Sequence, residues 1–162
     1  MRIIAFDLSL TSSGYAVGTV EGEDLRIDEI GTIKTKYVKG DEDGKRLNTI
    51  AQAVQNLYDK YPNAEKIVKE RSFSNGRITS TQKIFKVAGV WELASYLSGH
   101  SEFTEIAPNS VKKEVTGNGR ASKKEVSDKV EELTGLEPAN NDESDAIAVL
   151  ITFCLKQDLI EL

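Results

Sequence analysis

Cysteine, histidine and long apolar runs are scarce in this 162-residue chain. The single Cys154 excludes an internal disulfide and a cysteine-rich zinc site. It stands among Leu150, Ile151, Phe153 and Leu155, where it reads as a small buried apolar residue. The one histidine, His100, follows Gly99 in a turn-like stretch, so serine–histidine and cysteine–histidine chemistry have almost nothing to draw on. No apolar run approaches the ~20 residues of a membrane-spanning helix. The run Ile3–Phe6 is too short for a signal-peptide core and ends in Asp7, so a cytoplasmic protein without a membrane partner is expected. Positive charge is also in deficit: 21 Lys and Arg face 26 Asp and Glu. The deficit is uneven, because Lys69 to Lys124 holds ten Lys or Arg and only five Glu. A basic middle on an acidic chain has the charge profile of a local nucleic-acid surface, although a solvated face is its commonplace explanation.

At 39% hydrophobic, the chain suits one domain with one core, spanning residues 1–162. Residues 2–7 read as a buried strand. Residues 14–20 and 25–33 read as two more, joined by a hairpin turn at Glu21-Gly-Glu-Asp24. After the charged loop 39–44, Leu47, Ile50, Ala51, Val54 and Leu57 recur at helical spacing. Residues 66–70 read as a fourth strand and 71–79 as an exposed loop. Ile84, Val87, Ala88, Trp91, Ala94 and Leu97 mark a second helix, stopped by Gly99. A short fifth strand at 103–106 precedes a helix started by Pro108 and broken at Gly117. Ser122 and Glu125 form a capping box for the next helix, and a last one runs from about Asn141 to Lys156. This order predicts an α/β domain with a mixed five-stranded sheet flanked by helices.

Four carboxylates stand out by position. Asp7 ends the first strand and Glu70 the fourth, while Asp142 and Asp145 open the last helix three residues apart, on one face. Each has an ordinary explanation. Asp7 suits a turn, Glu70 a surface ion pair with Lys69 or Arg71, and the aspartates the positive end of a helix. Asn140 and Glu143 already supply that helix with a cap, so neither aspartate is required for it. Four acids brought together from separate rigid elements would repel, and a divalent cation resolves the repulsion.

With these carboxylates in that order, the chain resembles the RuvC family of Holliday junction resolvases over nearly its whole length. The family's strand-end Asp, strand-end Glu and D-x-x-D pair match Asp7, Glu70, Asp142 and Asp145. Its E-x-x-F element matches Glu70-Arg-Ser-Phe73, and its basic V-K-x-x-V-x-G-x-G-x-A-x-K element matches residues 111–123, with Lys112 and Lys123 at the lysine positions. The family usually has Pro-Gly after its first Asp; Leu8-Ser9 stands here, as in phage-borne relatives, so a phage protein acting in host cytoplasm is expected.

The resemblance implies a ribonuclease-H-like fold, a symmetric homodimer, and Mg²⁺-dependent hydrolysis at four-way and other branched DNA, with Mn²⁺ as a possible substitute. By analogy Asp7 bridges both ions, Asp145 serves the ion on the nucleophile side, and Glu70 and Asp142 serve the other. Phe73 becomes a wedge at the crossover, its alternative being a core residue. Arg71 and Arg77 hold adjacent backbone, and Lys112 and Lys123 meet phosphates. Losing one carboxylate should then stop cleavage without unfolding the protein. The residues leave two other readings open. One is an actin-like or sugar-kinase ATPase lobe, which needs a second lobe that 162 residues do not supply. The other is a branched-DNA-binding module without catalysis.

Overall fold

The computed structural model describes residues 1–40, 43–73, 76 and 78–161. Its five strands are β1 (Arg2–Asp7), β2 (Ser12–Glu21), β3 (Asp24–Lys34), β4 (Lys66–Glu70) and β5 (Thr104–Ile106). They form one sheet in the order β3-β2-β1-β4-β5. The first three make an antiparallel meander, while β4 runs parallel to β1 and β5 parallel to β4, so the sheet is mixed as expected. Five helices complete the chain: α1 (Asp43–Lys60), α2 (Ile78–Leu97), α3 (Pro108–Thr116), α4 (Lys123–Thr134) and α5 (Asn141–Lys156).

Both faces of the sheet are covered, which explains the unbroken apolar run of β1. Alternation along the strands decides what each face carries. Ile3, Ala5, Ala16 and Val68 pack with α3, α4 and α5. Ile4, Phe6, Val17 and Ile67 pack with α1 and α2. The same alternation sends Asp7 and Glu70 to the α5 face and Lys69 to the other. Lys69 is 1% exposed there, with Nζ 2.5 Å from Glu105 and 3.6 Å from Glu92. It also lies 5.5 Å from the Trp91 ring centre and 5.3 Å from that of Phe103. Burying that charge is tolerable only because two carboxylates and two aromatic faces receive it.

The local signals act as read. The Ser122–Glu125 capping box forms, Pro108 opens α3, and Gly117 and Gly135 close α3 and α4 in the left-handed conformation. Asn140 caps α5, its side chain accepting from the Glu143 amide at 3.1 Å. One boundary differs. Residues 71–79 are expected as loop, yet α2 starts at Ile78, which is 76% exposed. Apolar periodicity detects a helix only from its first buried residue, and this one begins turns earlier on solvated positions. Cys154 is buried as expected. His100 lies against the Tyr58 ring, 4.4 Å between centres, where burial lowers its pKa.

Candidate active site

Asp7 and Glu70 arrive at the same end of the sheet because β1 and β4 are parallel neighbours in register. Helix α5 lies across β2 and β1 on that face, and its N-terminal turn delivers Asp142 and Asp145 beside them. The approach depends on Gly14, which pairs with Asp7 in β2. A Cβ on Gly14 would stand 1.8 Å from the Asp142 carbonyl oxygen. No side chain larger than hydrogen admits α5 this close to the sheet.

Asp7, Glu70 and Asp145 line one cavity of about 140 Å³ with Lys112 and Lys123 on its wall. Asp142 sits beside it and accepts a hydrogen bond from Ser12 Oγ at 2.5 Å. Lys123 reaches in from α4 and donates to Asp145 Oδ2 at 2.6 Å. The electrostatics are those of crowded acids. Burial, then the charge of Asp145, pushes Asp7 from its ordinary 3.8 to about 6, with Asp142 adding to the rise and Lys123 opposing it. Burial, then Asp7 and Asp145, pushes Glu70 from 4.5 to about 8, against the pull of Lys123 and Lys112. Burial of Lys123 works against its charge, but the bond to Asp145 and the fields of Asp145, Asp7 and Asp142 leave its pKa raised.

Such a site favours a cation. The donors are carboxylate oxygens, which suit a hard divalent ion, and the Lys123 ammonium already occupies a cation's position against Asp145. Among the described residues no three acidic side chains are already arranged as a ligand set. Asp142 accepts from Ser12 and Asp145 from Lys123, so both carboxylates are engaged by protein donors. The ordinary explanation for Glu70 does not hold in its simplest form, because neighbouring Lys69 pairs with Glu105 and Glu92 on the opposite face.

The remaining candidates lie at varying distance from this centre. Phe73 is 70% exposed, so it is no core residue. Arg71 is exposed, with Nε 3.5 Å from Glu105. Lys112 is half-buried on the cavity wall. Lys123, expected at a phosphate, is placed by the structure on Asp145. Arg77 lies outside the described residues. Sequence reasoning passed over Ser12 and Gly14. Their signal was the small-residue run Ser12-Ser-Gly14 opposite the strand end that carries Asp7.

The family model "Crossover junction endodeoxyribonuclease RuvC" matches residues 3–153. The RuvC protein of Dictyoglomus thermophilum is 32% identical over 160 residues, covering 98% of this chain and 99% of that one. The RuvC protein of Brevibacillus brevis is 34% identical over 154 residues, covering 94% and 90%. Among solved structures, Thermus thermophilus RuvC in complex with Holliday junction substrate superposes with a TM-score of 0.85. That match covers 97% of this chain and 94% of the other at 23% identity, a likeness that shows the shared ribonuclease-H-like fold.

Proposed function

Because the chain belongs to the RuvC family of crossover junction endodeoxyribonucleases, we propose that it resolves four-way DNA junctions with Asp7, Glu70, Asp142 and Asp145 as its metal-binding catalytic residues. The observation that carries this reading is the cavity at the joined ends of β1 and β4. It gathers acids from three elements and raises two of them by burial and mutual repulsion. Two Mg²⁺ ions, or Mn²⁺ in their place, supply activation of the attacking water and stabilisation of the leaving oxygen when bound there. The chain's own residues do the rest. Ser12 fixes the orientation of Asp142, Lys123 offsets the charge of Asp145, and Lys112 offers positive charge on the wall facing an incoming phosphate. Hydrolysis leaves a 5′-phosphate and a 3′-hydroxyl.

The test compares a four-way junction, a replication fork and a linear duplex of matched sequence. Metal-dependent nicking of the junction with the duplex left intact is expected. A junction bound but uncut in both Mg²⁺ and Mn²⁺ would favour the non-catalytic module.

Phe73 fits a wedge: it is three residues past Glu70 and projects from the surface. Phe73→Ala is expected to leave the denaturation midpoint unchanged, since an exposed ring contributes little to packing. It should slow cutting of intact junctions more than of junctions already unpaired at the crossover, by the ~1–3 kcal/mol of a base–aromatic stack. Equal slowing on both substrates removes the wedge. Lys112→Ala is expected to flatten the slope of log affinity against log salt by roughly one unit, and an unchanged slope means that Lys112 meets no phosphate.

A homodimer is part of this reading. Helix α2 carries exposed Ile78, Phe85, Leu93 and Tyr96 on one stripe, with Gly89 between them. A closed two-fold pairing through that stripe presents two active sites to the two-fold-related strands of a junction. Sedimentation of the wild-type chain as a dimer and of Leu93→Glu as a monomer is expected; a dimer in both places the interface elsewhere.

A further inference from the structure

A second positively charged pocket lies at the same end of the sheet, on the α1 side. Its volume is about 200 Å³, and Lys34, Thr35, Lys36, Lys45, Arg46 and Thr49 line it. No acidic residue is among its described lining. At its base Arg46 is only 7% exposed. Among the described residues it pairs with no carboxylate. Its Nε donates to Thr35 Oγ1 at 2.9 Å, and its Nη2 donates to the Leu10 carbonyl at 3.2 Å and to Thr11 Oγ1 at 3.0 Å. Asp43, the nearest acid in sequence, is engaged by Lys86 at 2.9 Å. Among the described residues this buried guanidinium hydrogen-bonds only neutral acceptors; Asp43 feels its field but pairs with Lys86, and the planar fork suits an oxyanion.

The pocket is coupled to the cleavage site. The Leu10 and Thr11 that hold Arg46 belong to the segment leaving β1 after Asp7, and the Thr35 amide donates to the Thr11 carbonyl at 2.9 Å. Strand register sets the separation, with Asp7 opposite Gly14, Gly14 opposite Thr32, and Lys34 opposite Ser12. Lys34 is thus two strands across and two residues along from Asp7, about 12 Å at ~4.8 Å per strand and ~3.3 Å per residue. That is three to four base-pair rises of ~3.4 Å measured along a duplex axis, a span of a few nucleotides. Of the possible anions, a phosphodiester backbone is the one that can touch both places at once.

We infer that Lys34, Lys36 and Arg46 form a phosphate clamp for a junction arm, gripping its backbone a few nucleotides from the cleaved bond. The inference rests on the proposed DNA substrate. It makes the α1 side of the sheet end a second contact surface, separate from Lys112 and Lys123. In a chain of net charge −5, such local clamps confine DNA to the catalytic edge.

Lys34 and Lys36 are exposed, so their removal leaves the core intact. The test uses the full chain and a fluorescent four-way junction, titrated over a range of salt without divalent metal, so that no strand is cut. The double variant Lys34→Ala/Lys36→Ala is expected to lose about two units of the slope of log affinity against log salt, near one per phosphate contact. Lys66→Ala removes another exposed lysine, at the opposite end of β4 from Glu70, and is expected to leave the slope unchanged. An unchanged slope in the double variant, or an equal loss in Lys66→Ala, overturns the clamp. Cleavage by the wild-type chain in Mg²⁺ is read on the same junction. If it is absent, the nuclease reading fails while the slopes still decide the clamp.

Discussion

Asp7→Asn is expected to end cleavage in Mg²⁺ while making the metal-free protein more stable at alkaline pH. The loss follows from the position of Asp7, central among the other carboxylates and electrostatically coupled to Glu70, Asp142 and Asp145. Metal stabilisation of developing charge amounts to several kcal/mol, which corresponds to at least roughly a hundredfold to ten-thousandfold in rate. The gain follows from the sign of the pKa shift. Asp7 titrates near 6 when folded and near its ordinary 3.8 when unfolded. Between those values the folded chain holds more protons than the unfolded one, so stability falls as pH rises through the window. Above it the folded state carries a penalty of at most about 3 kcal/mol from this group, at ~1.36 kcal/mol per unit. Glu70 extends the same decline to about pH 8. Thermal melts in EDTA should show Asp7→Asn several degrees above wild type at pH 8, with the gap closing near pH 4. A variant that melts lower at pH 8, or still cuts junctions at the wild-type rate, contradicts the assignment of Asp7 as a ligand held under repulsion.

Gly14→Ala is expected to cost more stability than any surface change and to remove activity with it. The added methyl meets the Asp142 carbonyl oxygen at 1.8 Å, and Ala146 Cβ at 3.3 Å. Backbone cannot rotate away as a side chain can, so the N-terminal turn of α5 must lift from β2. Overpacking in a close-packed interior costs ~1–3 kcal/mol, and a clash with main chain falls at or above the top of that range. Because that turn carries Asp142 and Asp145, the displacement reaches the candidate active site directly. Gly44→Ala is the control, since a Cβ there meets nothing within 4 Å and sits in α1. It should be neutral or stabilising by up to ~1 kcal/mol through helix propensity. Urea denaturation and junction cleavage on both variants decide the matter. A Gly14→Ala protein with wild-type midpoint and rate means that the close approach of α5 is not required.

The sequence alone determined the order of the elements and marked four acids as candidates. Strand alternation, helical periodicity, the Ser122 capping box, the Asn140 cap and the glycine stops are local signals, written within a few residues of where they act. Asp7, Glu70, Asp142 and Asp145 stood out as candidates because each sits at the end of such an element, and their spaced matches to a family supplied the chemistry proposed for them. Where α2 begins was not legible, because its first turns bury nothing. Nor was the face that each strand-end residue takes: Glu70 and Lys69 are adjacent in sequence, and only the packing of both sheet faces sends one to the carboxylates and the other into an aromatic cage. The role of Gly14 depends on a helix that starts 127 residues later in the chain, at Asn141. The Lys123–Asp145 pair and the burial of Arg46 beside Leu10 and Thr11 likewise join residues that no local pattern relates. Tertiary structure decided these because charge interaction and steric exclusion depend on distance through space, which a one-dimensional pattern does not carry.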